Sequence, residues 1–181
     1  MISLLSRLRV PNFLIFASIF AATVVSINPP AVAQLPGLAH GPVDLVVVYK
    51  RDRLLHLKSK GRIVRSFDIA LGAEPVGHKL VEGDNRTPEG VYTLDWRNAN
   101  SQFHRSMHIS YPHEDDEEAA QRRGVSPGGL VMIHGLPNGR KASDMNHPVN
   151  DWTNGCVAVT NAEMDEIWSL VEDGTTIIIF P

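Results

Sequence analysis

One cysteine, Cys156, stands in a chain of 181 residues, so no intramolecular disulfide can form. No Cys-x-x-Cys pair is present to start a zinc site, and neither a metal nor a cofactor is expected. Internal repeats and low-complexity tracts are missing, which excludes a repeat array. Basic residues are outnumbered, 17 against 20 acidic ones, so the charge surplus that neutralises phosphates is lacking and nucleic acid is excluded as a partner. Only one apolar run is long. It spans Phe13 to Ile27, 15 residues, short of the ~20 that a membrane-spanning helix needs.

What surrounds that run has a recognisable order. Arg7 and Arg9 form a positive start, and "AVA" (Ala31 to Ala33) supplies small residues for cleavage, as in a secretory signal peptide. Residues 1–33 are therefore read as a signal, 34–42 as a linker and 43–181 as one catalytic domain. The expected location is the periplasm or cell envelope, membrane-anchored if the signal stays uncleaved. Removing Arg7 and Arg9 leaves 15 basic against 20 acidic side chains, a net of −5. In an oxidising compartment an odd thiol is either a pairing partner for another chain or a reactive group.

Most of the remaining chain reads as strands. "VDLVVVYK" (Val43 to Lys50) is apolar and β-branched, and "LLHLKSKGRIVRSFDIAL" (Leu54 to Leu71) alternates on both sides of a Ser59-Lys60-Gly61 turn. "GVYTLDW", "MHISY", "GLVMIHG", "GCVAV" and "TTIIIF" add five short candidates. Two helices interrupt them. "HEDDEEAAQRRG" runs from acidic to basic before Gly124, matching the helix dipole at both ends. The second starts at Thr160, with Glu163 completing a capping box and Gly174 expected to end it. Its Met164, Ile167, Trp168 and Val171 share one face, a core stripe. The expected fold is mainly β, a sandwich or partly closed barrel with inserted short helices.

Cys156 then begins a strand just after the loop "DWTNG", a place where a scaffold presents reactive groups. A thiol becomes a nucleophile when a histidine, a cation or oriented N–H groups favour the thiolate. His134 ends an apolar strand, His147 lies nine positions before the cysteine, and His104 and His108 lie in "FHRSMHISYP". Gly155 lets a carbonyl approach the Cys156 N–H, an oxyanion donor worth ~3 kcal/mol in acyl transfer.

"IHG" (Ile133 to Gly135) and "TNGCVAVTN" (Thr153 to Asn161) resemble the L,D-transpeptidase catalytic-domain family, YkuD-like, and within it the YafK-like branch of exported murein enzymes. "GHKLVEGDNRTPEGVYTLDW" and "MHISYP" resemble further segments of that family in the same order. The resemblance implies that Cys156 attacks a peptidoglycan stem tetrapeptide and forms a thioester, with His134 as base. It also implies that the Gly135 carbonyl orients the imidazole, that Thr153 supports the loop, and that N–H groups near Gly155 and Cys156 form the oxyanion hole. The acceptor would be another stem peptide or a cell-wall-linked protein.

Two positions depart from the pattern: Asn154 stands where most members carry histidine, and Ala158 where they carry arginine. Asn154 can hydrogen-bond but cannot serve as a base at neutral pH. Without the arginine, carboxylate clamping must fall elsewhere, with Arg86, His108 and His147 as candidate substrate contacts and Glu89 a further cleft candidate. Three functions stay open: L,D-transpeptidase, a hydrolase of the same branch that cuts peptidoglycan–protein links or crosslinks, and a silent peptidoglycan-binding module.

Overall fold

The structure is a computed structural model describing residues 41–181. The expected signal, residues 1–33, and most of the expected linker, 34–42, lie outside the described residues.

Strand β1 (Leu45–Tyr49) is central because both flanks are occupied: β2 (Leu54–Ser59) pairs antiparallel on one side and β8 (Thr175–Phe180) parallel on the other. Val46, Val47 and Val48 are accordingly buried. β2 buries Leu55 and Leu57 and turns His56 and Lys58 outward, the alternation of a strand with one core face. It reverses through Lys60 and Gly61, both at positive φ, into the edge strand β3 (Arg62–Asp68), which buries only Phe67.

The remaining strands are β4 (Gly90–Ser101), β5 (His104–Ile109), β6 (Met132–His134) and β7 (Val157–Ala158), completing one mixed sheet of order β3-β2-β1-β8-β4-β5-β6-β7. The sheet curls until its edges touch. Ala70, just past β3, bridges Ala158 in β7, with N–H to carbonyl bonds of 2.9 and 2.8 Å in the two directions. Of the two expected β forms, the partly closed barrel is the one adopted.

Helix α1 (Glu114–Arg123) buries only Ala120 and is capped at Gly124. Helix α2 (Asn161–Leu170) opens with the expected box: the Thr160 N–H donates to Glu163 Oε2 at 2.8 Å, and Thr160 Oγ1 accepts from the Glu163 N–H at 3.4 Å. It lays Met164 and Ile167 against the sheet, each side chain contributing roughly 1.5–3 kcal/mol through burial. It ends before the expected Gly174. Val171 turns extended, buries its side chain in the core and closes the last turn on the Ile167 carbonyl, leaving Gly174 in the loop that enters β8. No helix among the described residues is long and apolar enough to cross a membrane.

Candidate active site

The loop that delivers Cys156 is pinned from below before it reaches the sulfur. Asp151 accepts from Arg53 Nε and Nη2 at 3.0 and 2.7 Å, and its other oxygen takes the Leu71 N–H at 2.8 Å. The Thr153 N–H then donates to the Leu71 carbonyl at 3.1 Å, and the Thr153 carbonyl accepts from Ala73 at 2.9 Å. Buried Thr153 also closes the turn, because its hydroxyl donates to the Cys156 carbonyl at 2.8 Å and accepts from the Gly155 N–H at 3.1 Å. Gly155 has φ +124°, and a Cβ there would sit 2.6 Å from the Arg86 carbonyl oxygen. Glycine is required on both counts.

One expectation changes here. The Gly155 N–H is already engaged by Thr153, so it is not a free oxyanion donor. Among the described residues the Cys156 N–H has no such partner.

His134 ends β6, two residues along the register from the cysteine: Ile133 pairs Val157 and His134 pairs Ala158, while the Met132 N–H donates to Cys156 Sγ at 3.4 Å. The His134 Nδ1–H donates to the Gly135 carbonyl at 2.7 Å. A carbonyl only accepts, so Nδ1 carries the proton and Nε2 keeps a free lone pair. Phe103 and Trp152 flank the ring at centroid distances of 4.5 and 5.6 Å. Burial holds the His134 imidazole down at about 4, with the Gly135 bond opposing and His147 adding to the fall. Burial likewise pushes the Cys156 thiol up, opposed by the Met132 N–H and the Lys79 cation. At rest, therefore, the thiol and the imidazole are both neutral. The sulfur rests on backbone groups, its S–H reaching the Leu130 carbonyl at 3.8 Å.

Both side chains line one cavity of about 600 Å³. Its walls come from the loop 152–156, from Gly129 to Met132, and from the β4–β5 hairpin, including Asn98, Ser101, Phe103 and Ser106. Among the described residues no Asp, Glu, Lys or Arg lines it. Asn138 holds the hairpin tip over His134, donating to the Gln102 carbonyl at 2.9 Å and the Ser101 carbonyl at 3.0 Å and accepting from the His104 N–H at 3.0 Å.

The other candidates fall differently. Asn154 is exposed and lines the cavity. Arg86, His108 and His147 do not line it. The Arg86 guanidinium lies against Gly77, while its carbonyl packs under Gly155. His108 is turned to Asp95 at 2.7 Å and stacks on Trp96. His147 sits behind Trp152, accepting its indole N–H at 3.4 Å. His104 binds Asp165, and Glu89 is held by buried Lys50. No group of three or more His, Cys, Asp or Glu among the described residues is placed to hold a metal. Ala158 is fully buried, paired with His134 in β6 and bridged to Ala70, so a long side chain there would have no room. Phe103, Trp152 and Asp151 were not singled out from sequence. Trp152 and Asp151 adjoin the Thr-x-Gly-Cys motif and were within reach, but Phe103 comes from a remote hairpin and carries no local signal.

The family model of the L,D-transpeptidase catalytic domain, YkuD, matches residues 43–179. The chain belongs to the L,D-transpeptidase catalytic-domain family, whose members are enzymes of peptidoglycan metabolism. It is 27% identical over 133 residues to the YafK protein of Escherichia coli K12, covering 70% of this chain and 46% of that one. Among solved structures it resembles the helical cell shape determining protein Pgp2 of Campylobacter jejuni, with TM-score 0.56, 25% identity, and coverage of 76% here and 47% there. It also resembles Bdellovibrio bacteriovorus Bd1075, with TM-score 0.52, 22% identity, and coverage of 75% and 47%, a likeness of fold alone. The chain spans about half the length of the relatives it matches.

Proposed function

We propose that residues 43–181 form a cysteine-dependent acyl-transfer domain acting on peptidoglycan stem peptides outside the cytoplasm, without metal or cofactor. The observation that carries this reading is the shared cavity of Cys156 and His134, with the imidazole oriented so that Nε2 is the basic nitrogen. As substrate binds, Nε2 takes the thiol proton while sulfur attacks the scissile carbonyl. The departing amine leaves with that proton, and a thioester remains on Cys156. An acceptor amine or water then attacks the thioester, gives its proton to Nε2, and releases the Cys156 thiolate, which takes that proton from the imidazolium to restore the thiol. The Cys156 N–H is the oxyanion donor at both steps.

An amine acceptor makes the enzyme an L,D-transpeptidase, and water makes it a hydrolase of peptidoglycan–protein links or crosslinks. The hydrolytic reading has its own support. Among the described residues no cation lines the cavity, and Lys79, the cation that acts on the thiol, is paired with Asp84; with Ala158 in place of arginine, none is left to clamp a carboxylate next to the scissile bond. A leaving amine without such a carboxylate, such as a protein side chain, fits that wall.

Protein beginning at Gln34 should gain one carbapenem mass by intact-mass measurement, and Cys156→Ala should gain none. A reduced, folded wild-type protein that forms no adduct would return the domain to a silent binding module. Incubation with purified sacculi then separates the outcomes: new crosslinks mean transfer, and released peptides or a released tethered protein mean hydrolysis.

A further inference from the structure

Ser106 stands directly across the antiparallel β5–β6 pair from His134, and His134 stands across the parallel β6–β7 pair from Ala158. Residues opposed in this way share a sheet face, with Cβ atoms roughly 4.5–5.5 Å apart in an antiparallel pair. The row is therefore hydroxyl, imidazole, methyl. Ser106 is 3% exposed and lines the same cavity as His134 and Cys156. Among the described residues nothing hydrogen-bonds its hydroxyl, although its neighbours Ser101 and Ser110 both accept from backbone N–H groups. Buried hydroxyls find partners, and the partner left to this one is whatever occupies the cavity beside the histidine.

We propose that Ser106 is a further catalytic residue, contacting the amine or water that exchanges its proton with His134. This rests on the assignment of Cys156 as nucleophile and His134 as base. In the second half-reaction the incoming nucleophile has at least two protons. One passes to His134 Nε2 as the new bond to the acyl carbon forms and the carbon–sulfur bond breaks. The other donates a hydrogen bond to Ser106 Oγ, which aims the lone pair at the carbonyl. The serine neither gains nor loses a proton. The leaving amine of the first half-reaction departs through the same contact. Ala158, on the other side of His134, has no polar group to do this.

The test separates steps that involve this proton from one that does not. p-Nitrophenyl acetate acylates a thiol and expels a phenolate that needs no proton, so Ser106→Ala should acetylate Cys156 within about two-fold of the wild-type rate. Hydrolysis of the acetyl-enzyme, and its aminolysis by glycinamide, should slow by roughly ten- to a hundred-fold. Ser106→Thr, which keeps the hydroxyl, should recover most of the loss. Unchanged deacylation overturns the proposal. So does equal slowing of acetylation and deacylation, which is the signature of a structural role, and melting temperatures of the variants register a folding defect directly. Acetylation that persists in Cys156→Ala refutes the nucleophile assignment instead, without touching the Ser106 comparison.

Discussion

The Thr153 hydroxyl lies 2.8 Å from the Cys156 carbonyl, so a side chain three positions before the sulfur closes the turn that presents it. The same oxygen accepts the buried Gly155 N–H. A single hydroxyl thus satisfies a donor and an acceptor that would otherwise be stranded at the base of the cavity.

Thr153→Val keeps the shape and removes both bonds. Leaving a buried N–H without a partner costs about 1–3 kcal/mol. Urea denaturation should register a loss of that order, and carbapenem adduct formation should slow at least about ten-fold. Thr153→Ser should behave nearly as wild type in both measurements. A valine variant with wild-type adduct kinetics would mean that the turn is held by other means.

Gly155→Ala places a methyl group 2.6 Å from the Arg86 carbonyl, on a backbone at φ +124° that alanine resists. Strain of this kind costs roughly 1–3 kcal/mol. Because the contact is with backbone, no side chain can swing aside, and the loop must shift. The expected result is a lower melting temperature together with a loss of adduct formation far larger than the loss of stability.

Acid should reveal how deeply His134 is buried. Its folded value, about 4, lies below the ordinary 6.5, so the folded protein stays unprotonated there while the unfolded chain takes up a proton. Stability contributed by this group is whole above pH 6.5 and falls as pH drops toward 4, by ~1.4 kcal/mol per unit within that window. The rate of adduct formation should hold through pH 6 and decline only with a midpoint near 4. A midpoint at 6.5 would contradict the buried, neutral imidazole.

Phe103→Ala should move that midpoint. The phenyl ring packs 4.5 Å from the imidazole and helps exclude water from it. Opening that side restores hydration, which favours the charged form. The acid limb of the adduct rate is expected to shift upward, toward 6.5, with the variant still folded.

Asp151→Asn weakens the tie between the β1–β2 turn and the loop that carries Cys156. The Leu71 N–H keeps an acceptor, but the paired bonds from Arg53 lose their charge. The pair is partly exposed, which places the loss near 1–2 kcal/mol. A double-mutant cycle with Arg53→Gln should return a coupling of at least about 0.5 kcal/mol.

Much of the architecture was legible from residue order because it obeys local rules. The alternation in Leu54–Ser59 betrayed a strand with one core face, and Thr160 with Glu163 marked the start of α2 by a bond that spans three residues. Gly174 misled because helix termination is decided by packing: Val171 left the helix to bury its side chain. The candidate site was legible to the extent that its chemistry is motif-bound. Cys156, His134, Thr153 and Gly135 sit in two short segments whose order alone raised the hypothesis. Phe103 and Ser106 were not legible, since each acquires its place through a strand pairing between distant parts of the chain.

The amino-acid order by itself determined which groups could react: one thiol, few candidate bases, and a glycine where the backbone demands one. Covalent identity and short-range hydrogen bonding suffice for that. Only the tertiary structure decided that β8 slots beside β1, that Ala70 and Ala158 close the sheet, and that the β4–β5 hairpin roofs the imidazole and excludes charge from the cavity. Those outcomes depend on long-range burial, where the free energy lies in surfaces that no neighbouring residues share.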